Sequence, residues 1–182
     1  MLAVMQLPAS GEGSLARINL IYVGPLDDAH GVDAMADAFL AAHTHDPRLH
    51  LLLAGDGPQA SDLRDRLGRS ATFVHADCAA AVEQRVADAD LLICPTTAAD
   101  AAPAIEAAQL SGLPVLAVDG GAAAALIENG RSGFLVPDDQ IAFVDAIRWL
   151  SRRATLRERL AVGGRVAAEA RKTSGDGRIM GV

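Results

Sequence analysis

Six short apolar runs punctuate the chain: INLIYV (18–23), LHLLLA (49–54), ATFV (71–74), DLLIC (90–94), PVLAV (114–118) and GFLV (133–136). They are continuous rather than alternating, the pattern of strands buried on both faces. Between nearly all of them lie stretches with helical spacing. In 31–43, Val32, Met35, Ala36, Phe39 and Leu40 share one helical face. Further helices are expected at 61–68, 78–89, 102–112 and 122–128, then two more at 139–150 and 153–171. No hairpin signal interrupts the series. Strands alternating with helices imply right-handed crossovers and parallel pairing. The expected fold is therefore α/β: a doubly wound, six-stranded parallel sheet in the order 3-2-1-4-5-6. Ile21, Leu52, Phe73, Leu92, Val115 and Leu135 should be buried in it.

This pattern occupies one domain of ordinary size, 18–172 of 182 residues, after a Gly-, Ser- and Pro-containing lead-in (1–17) and before a loose tail (173–182). A chain this long buries roughly 70% of its unfolded surface and needs neither disulfide nor metal to fold. Cys78 and Cys94 form no framework. With 37 alanines and six aromatic residues, the core must be built from Leu, Val, Ile and Ala. The only lysine is Lys172, near the end, which removes any mechanism that needs a lysine inside the fold. A net charge of −7 argues against nucleic acid as the main partner.

From Arg148 to Lys172, however, eight basic residues face only Glu158 and Glu169. This stretch reads first as a solvated helical face. The sharper reading is a patch for anionic lipid or an acidic partner. No apolar run is long enough to span a membrane, and the N-terminus lacks a secretory pattern, so a cytoplasmic protein is expected, with peripheral membrane contact through these Arg-rich helices as the alternative.

Ligands of such sheets bind at the carboxyl ends of the strands. The loops there are GPLDDAHG after the first strand, GDGP after the second, Pro95–Asp100 after the fourth and Gly120–Gly121 after the fifth. Several lead into helices, whose free N–H groups suit an anion. Each glycine alone is explained by a tight turn; the set on one edge points to a phosphate-bearing ligand. Other constellations are weaker. His43, His45, Asp46 and His50 could in principle hold zinc, but exposed polar residues explain them better. Asp27 and Asp28 suggest a phosphoacceptor, yet no lysine follows the fifth strand. There is no G-x-S-x-G.

In order and spacing, IYVGPLDDAHGVDAMADAF, LLLAGDGP, ATFV, VADADLLICPT, SGLPVLAV and LIENGRSGFLVP resemble the C-terminal, donor-binding half of retaining glycosyltransferases of the two-domain GT-B architecture, the group 1 type. The resemblance implies a Rossmann-like domain that holds a nucleotide-sugar donor, UDP- or GDP-linked, and transfers its sugar when paired with a separate N-terminal acceptor-binding domain. It implies no metal and no cofactor besides the donor. Its donor contacts fall on Gly24, His30, Gly55, Gly57, His75, Thr96 and Asp100, with Glu106 as the carboxylate nearest the catalytic pattern. The family's polar positions read here as Pro25, His30, Ala99, Ala107 and Ala125, and Pro103 removes a backbone donor. A neutral histidine replaces a fixed cation poorly, so weak nucleotide affinity is expected. The alternative is a non-catalytic degenerate half serving as an interaction or small-ligand module.

Overall fold

The computed structural model describes residues 16–74 and 84–176. Its strands are β1 (Ile18–Val23), β2 (Leu49–Ala54), β3 (Ala71–Val74), β4 (Leu91–Cys94), β5 (Val115–Val118) and β6 (Phe134–Val136). The helices are α1 (Val32–His45), α2 (Ala60–Leu67), α3 (Ala102–Leu110), α4 (Gly121–Leu126), α5 (Gln140–Ser151) and α6 (Ala154–Asp176). Residues 84–87 are helical as well; the rest of the helix expected at 78–89 falls largely outside the described residues.

All strand pairs are parallel, and the order is β3-β2-β1-β4-β5-β6, as the apolar runs predict. Ile21 sits level with Leu52 on one side and Leu92 on the other. The connection reverses direction between β1 and β4, which opens a crevice at their carboxyl ends.

Alternate residues feed two cores. Leu20, Tyr22, Leu51, Leu53 and Ile93 pack with Phe39, Leu63, Phe143 and Leu150 from α1, α2 and α5. Ile21, Leu52, Leu92 and Val115 pack with Ile105, Ala108, Ala123 and Ile127 on the opposite face, under α3 and α4. Ile21, Leu52, Leu92 and Val115 are buried as expected. Phe73 and Leu135 are only half-buried. They stand on β3 and β6, the two edge strands, which have a neighbour on one side only.

The helix starts follow local chemistry. Asp139 caps α5, its carboxylate accepting from the Ala142 N–H at 2.8 Å. The last helix runs to Asp176, past the boundary expected at 171. There the Thr173 and Ser174 hydroxyls donate back to the Ala170 carbonyl, both at 2.9 Å.

One polar side chain ties α6 to the sheet-covering layer. Gln109 of α3 is fully buried. Its Nε2 donates to the carbonyls of Ser132 (3.2 Å) and Leu126 (3.3 Å), and its Oε1 accepts from Arg171. Arg171 also donates to the Leu126 carbonyl at 3.2 Å. Burial of an amide is tolerable only when its hydrogen bonds are made, and here they are. Among the described residues, no helix is long and apolar enough to cross a membrane.

Candidate functional site

The backbone of the carboxyl edge is closely fitted. Gly24 N–H extends the β1–β2 ladder to the Ala54 carbonyl (3.1 Å), Leu26 N–H reaches Asp56 (2.9 Å), and Gln59 N–H returns to Leu26 (3.1 Å). A Cβ on Gly55 would stand 1.9 Å from the Gly24 carbonyl, and one on Gly57 would stand 2.3 Å from that of Leu26. Both glycines thus let two loops touch. Neither lines the cavity that forms at the β1–β4 crevice.

That cavity is bounded by Tyr22, Gly24 and Pro25 from the end of β1, by Cys94 and Thr96 from the end of β4, and by His30 and Asp100. Its volume is about 20 Å³. This is room for a single water, not for a nucleotide. Thr96 is buried, and its Oγ1 accepts from the Ala98 N–H at 3.1 Å. The Tyr22 hydroxyl donates to the Pro25 carbonyl at 2.7 Å. Burial, helped by the nearby carboxylates, pushes that phenol well above its ordinary range. The Cys94 thiol is also buried and raised by desolvation, which keeps it a thiol and a poor nucleophile.

His30 is the centre of the cavity's polar chemistry. The chain reaches it through a short 3-10 turn, Asp28–His30, capped by Asp27, whose carboxylate accepts from the His30 N–H at 3.2 Å. Left-handed Gly31 then starts α1. The ring is buried between two carboxylates: Nδ1 lies 2.6 Å from Asp27 and Nε2 lies 2.9 Å from Asp100. Both ring nitrogens must donate to satisfy these contacts, so the geometry favours the imidazolium. Its pKa is raised, first by the hydrogen bond to Asp27 and then by that to Asp100. The Asp27 carboxyl is lowered in turn, chiefly by the bond to His30. Where the sequence suggested a neutral histidine, the geometry favours a charged ring held between two carboxylates.

Of the residues singled out from sequence, the structure brings Gly24, His30, Thr96 and Asp100 together. Gly55 and Gly57 stand behind them as spacers. Glu106 is exposed on α3 and lines a different groove, with Leu110, Ala168, Arg171 and Lys172. His75 lies outside the described residues. Pro25, Ala99, Ala107 and Ala125 are exposed and offer no side-chain polar group. The histidines near α1 have other partners: His43 Nδ1 contacts the Leu49 carbonyl (3.0 Å), His50 contacts the Thr72 hydroxyl (2.9 Å), and Asp46 pairs with Arg48 (2.7 Å). No group of three possible metal ligands occurs among the described residues. Sequence reading missed Asp27 and Tyr22 as parts of the site. The spacing Asp27–His30, an N-cap followed three residues on by its partner, is the signal that marks the first.

The family model described as glycosyl transferases group 1 matches residues 17–153, more than half of the chain. The chain belongs to the glycosyl transferases group 1 family. Solved structures share its fold. A Staphylococcus aureus TarM variant, in complex with fondaparinux, alpha-GlcNAc-glycerol and UDP, superposes with a TM-score of 0.77 at 14% identity, over 91% of this chain and 36% of that one. Anabaena Alr3699/HepE, in complex with UDP and glucose, gives 0.76 at 23%, over 90% and 47%. The C-terminal domain of a group 1 protein (LpcC) from Francisella tularensis gives 0.75 at 18%, over 86% and 87%. No curated protein matches the sequence.

This group 1 chain thus spans about a third to a half of the first two of these proteins and nearly all of the isolated LpcC domain. Its fold is that of the C-terminal half of a GT-B glycosyltransferase, as the sequence resemblance implied.

Proposed function

We propose that this domain is the donor-side half of a group 1 glycosyltransferase, and that by itself it holds a nucleotide only weakly and transfers no sugar. The observation that carries the reading is the position of the cavity. It lies where β1 and β4 diverge, at the crevice in which sheets of this order bind ligands. The reaction would move a sugar from a UDP- or GDP-linked donor to an acceptor hydroxyl. The transition state would be helped mainly by stabilising the departing diphosphate. A second domain would supply the acceptor and close the cleft, since rate comes from holding both reactants together.

A specific observation favours a second reading, a non-catalytic domain that keeps the scaffold. The cation nearest the cavity is already paired with Asp27 and Asp100, and Ala99, Ala107 and Ala125 supply no carboxylate.

Nitrogen-15 NMR separates the two. In a titration of the 182-residue chain with UDP and GDP, the donor-side reading expects small, saturating shifts of the Gly24, Thr96–Ala101 and Gly120–Gly121 amides at millimolar ligand. No shift at those amides with either nucleotide would discard it in favour of the non-catalytic reading. Steady sugar transfer by the chain alone would overturn the claim that a second domain is needed.

A further inference from the structure

The carboxylate of Asp100 has one hydrogen-bond partner among the described residues, the Nε2 of His30 at 2.9 Å. It caps no helix: neither the turn Ala99–Ala101 nor α3 is closed by a side chain. More than half of its side-chain surface is exposed, so folding does not depend on hiding it. Asp27 differs. It caps the turn that carries His30, and so it is part of the local fold.

Asp100 also sits in the first turn before α3, where partial positive charge from the helix end is strongest. A phosphate entering the crevice would seek this same place and this same imidazolium. Asp100 lines the crevice cavity together with Tyr22, His30 and Cys94.

We infer that Asp100 is a built-in competitor for the diphosphate of the donor, an internal carboxylate that occupies the Nε2 of His30 and so sets the affinity of the cleft for anionic ligands. The inference rests on the donor-side reading given above. A diphosphate can bind His30 only by displacing Asp100, and it must do so against the negative charge that Asp100 leaves nearby. Removing that one carboxylate frees a ring N–H and removes the repulsion, while Asp27 keeps the ring in place. Uncharged parts of a nucleotide are indifferent to the change. The effect therefore belongs to phosphate, not to the base or the ribose.

The test compares wild-type chain with Asp100→Asn and Asp100→Gly by NMR titration and calorimetry. The probes are UDP, inorganic pyrophosphate and uridine. The expected result is at least about a tenfold gain in affinity for UDP and pyrophosphate in both variants, with uridine unchanged. Adding His30→Gln to Asp100→Asn should return UDP binding to the wild-type level. Amide spectra and melting curves establish that each variant is folded; Asp100 is exposed, so its two variants keep the test open should the double variant fail to fold.

If UDP binds the Gly24 and Thr96–Ala101 region of wild type and variants alike, Asp100 is not a competitor, and the donor-side reading survives. If uridine gains as much as UDP, the effect is steric, and the inference is equally overturned. If no variant shows nucleotide shifts in that region, both this inference and the donor-side reading fall.

Discussion

Gln109 and His30 are both buried polar side chains, and the chain treats them in opposite ways. Gln109 is enclosed by parts of the scaffold: the carbonyls of Leu126, at the end of α4, and of Ser132, in the loop that follows, and the guanidinium of Arg171 on α6. His30 is enclosed by the edge of a cleft, and one of its two carboxylates, Asp100, comes from a largely exposed position across the crevice. The first arrangement ties α3 to the end of α4 and to α6. The second leaves the body intact and instead fixes the charge that a ligand would meet. The fold is the family's; the polar centre of its crevice is a histidine set between two carboxylates.

The comparison breaks most visibly at Gln109. Gln109→Leu keeps the volume but leaves the Ser132 carbonyl without its donor and takes from the half-buried Arg171 one of its two acceptors. Unsatisfied buried groups cost about 1–3 kcal/mol each, so a loss of about 3 kcal/mol is expected. In a domain of this size that is a drop of roughly 6–12 °C in melting temperature. A loss under about 1 kcal/mol in urea unfolding would show that the scaffold does not depend on the network.

A smaller effect is expected from His30→Gln, and it depends on pH. The pKa of His30 is raised, so its tie stabilises the fold fully below the ordinary histidine value of about 6.5 and is lost as pH rises through the raised value. Asp27 is lowered, so its share is present above the ordinary carboxylate value of about 3.9 and is lost as pH falls through the lowered one. Wild type should therefore exceed His30→Gln in stability most clearly near pH 5–6, by no more than about 3 °C, and the gap should close as pH rises through the raised value of His30. Melting curves across this pH range check this. A gap that widens toward alkaline pH would reverse the assignment of charge.

The smallest effect is the response of the wild type to nucleotide. A 10 μM ligand at 1 mM would stabilise the fold by about 2.7 kcal/mol, whereas less than about 2 °C is expected here with UDP, GDP or their sugars. A rise of about 5–10 °C would mean that the cleft opens to a full site.

Most of the fold was legible because it is written in local patterns. Each apolar run became a strand within a residue of its expected ends, and burial on both faces of the sheet could be read from their continuity. The half-burial of Phe73 and Leu135 was not, since an edge position depends on the strand order as a whole. The site was legible in its backbone but not in its charge. Gly24, His30, Thr96 and Asp100 lie on the edge loops, and the family resemblance singled them out. The ring of His30 also meets Asp100, which is distant in sequence and is carried by a 3-10 turn that spacing alone does not reveal. Glu106 shows the converse: it is the right residue type, one position along the helix from the family's place, and it faces another groove.

The most direct measurement of this account is an NMR titration of the His30 ring in wild type and in Asp100→Asn. The account predicts that in wild type the ring stays doubly protonated past the ordinary value of about 6.5, and that Asp100→Asn lowers its midpoint. A ring that titrates at or below the ordinary value, or one that Asp100→Asn leaves unmoved, would contradict the claim that the domain's own carboxylates hold the cation of its cleft.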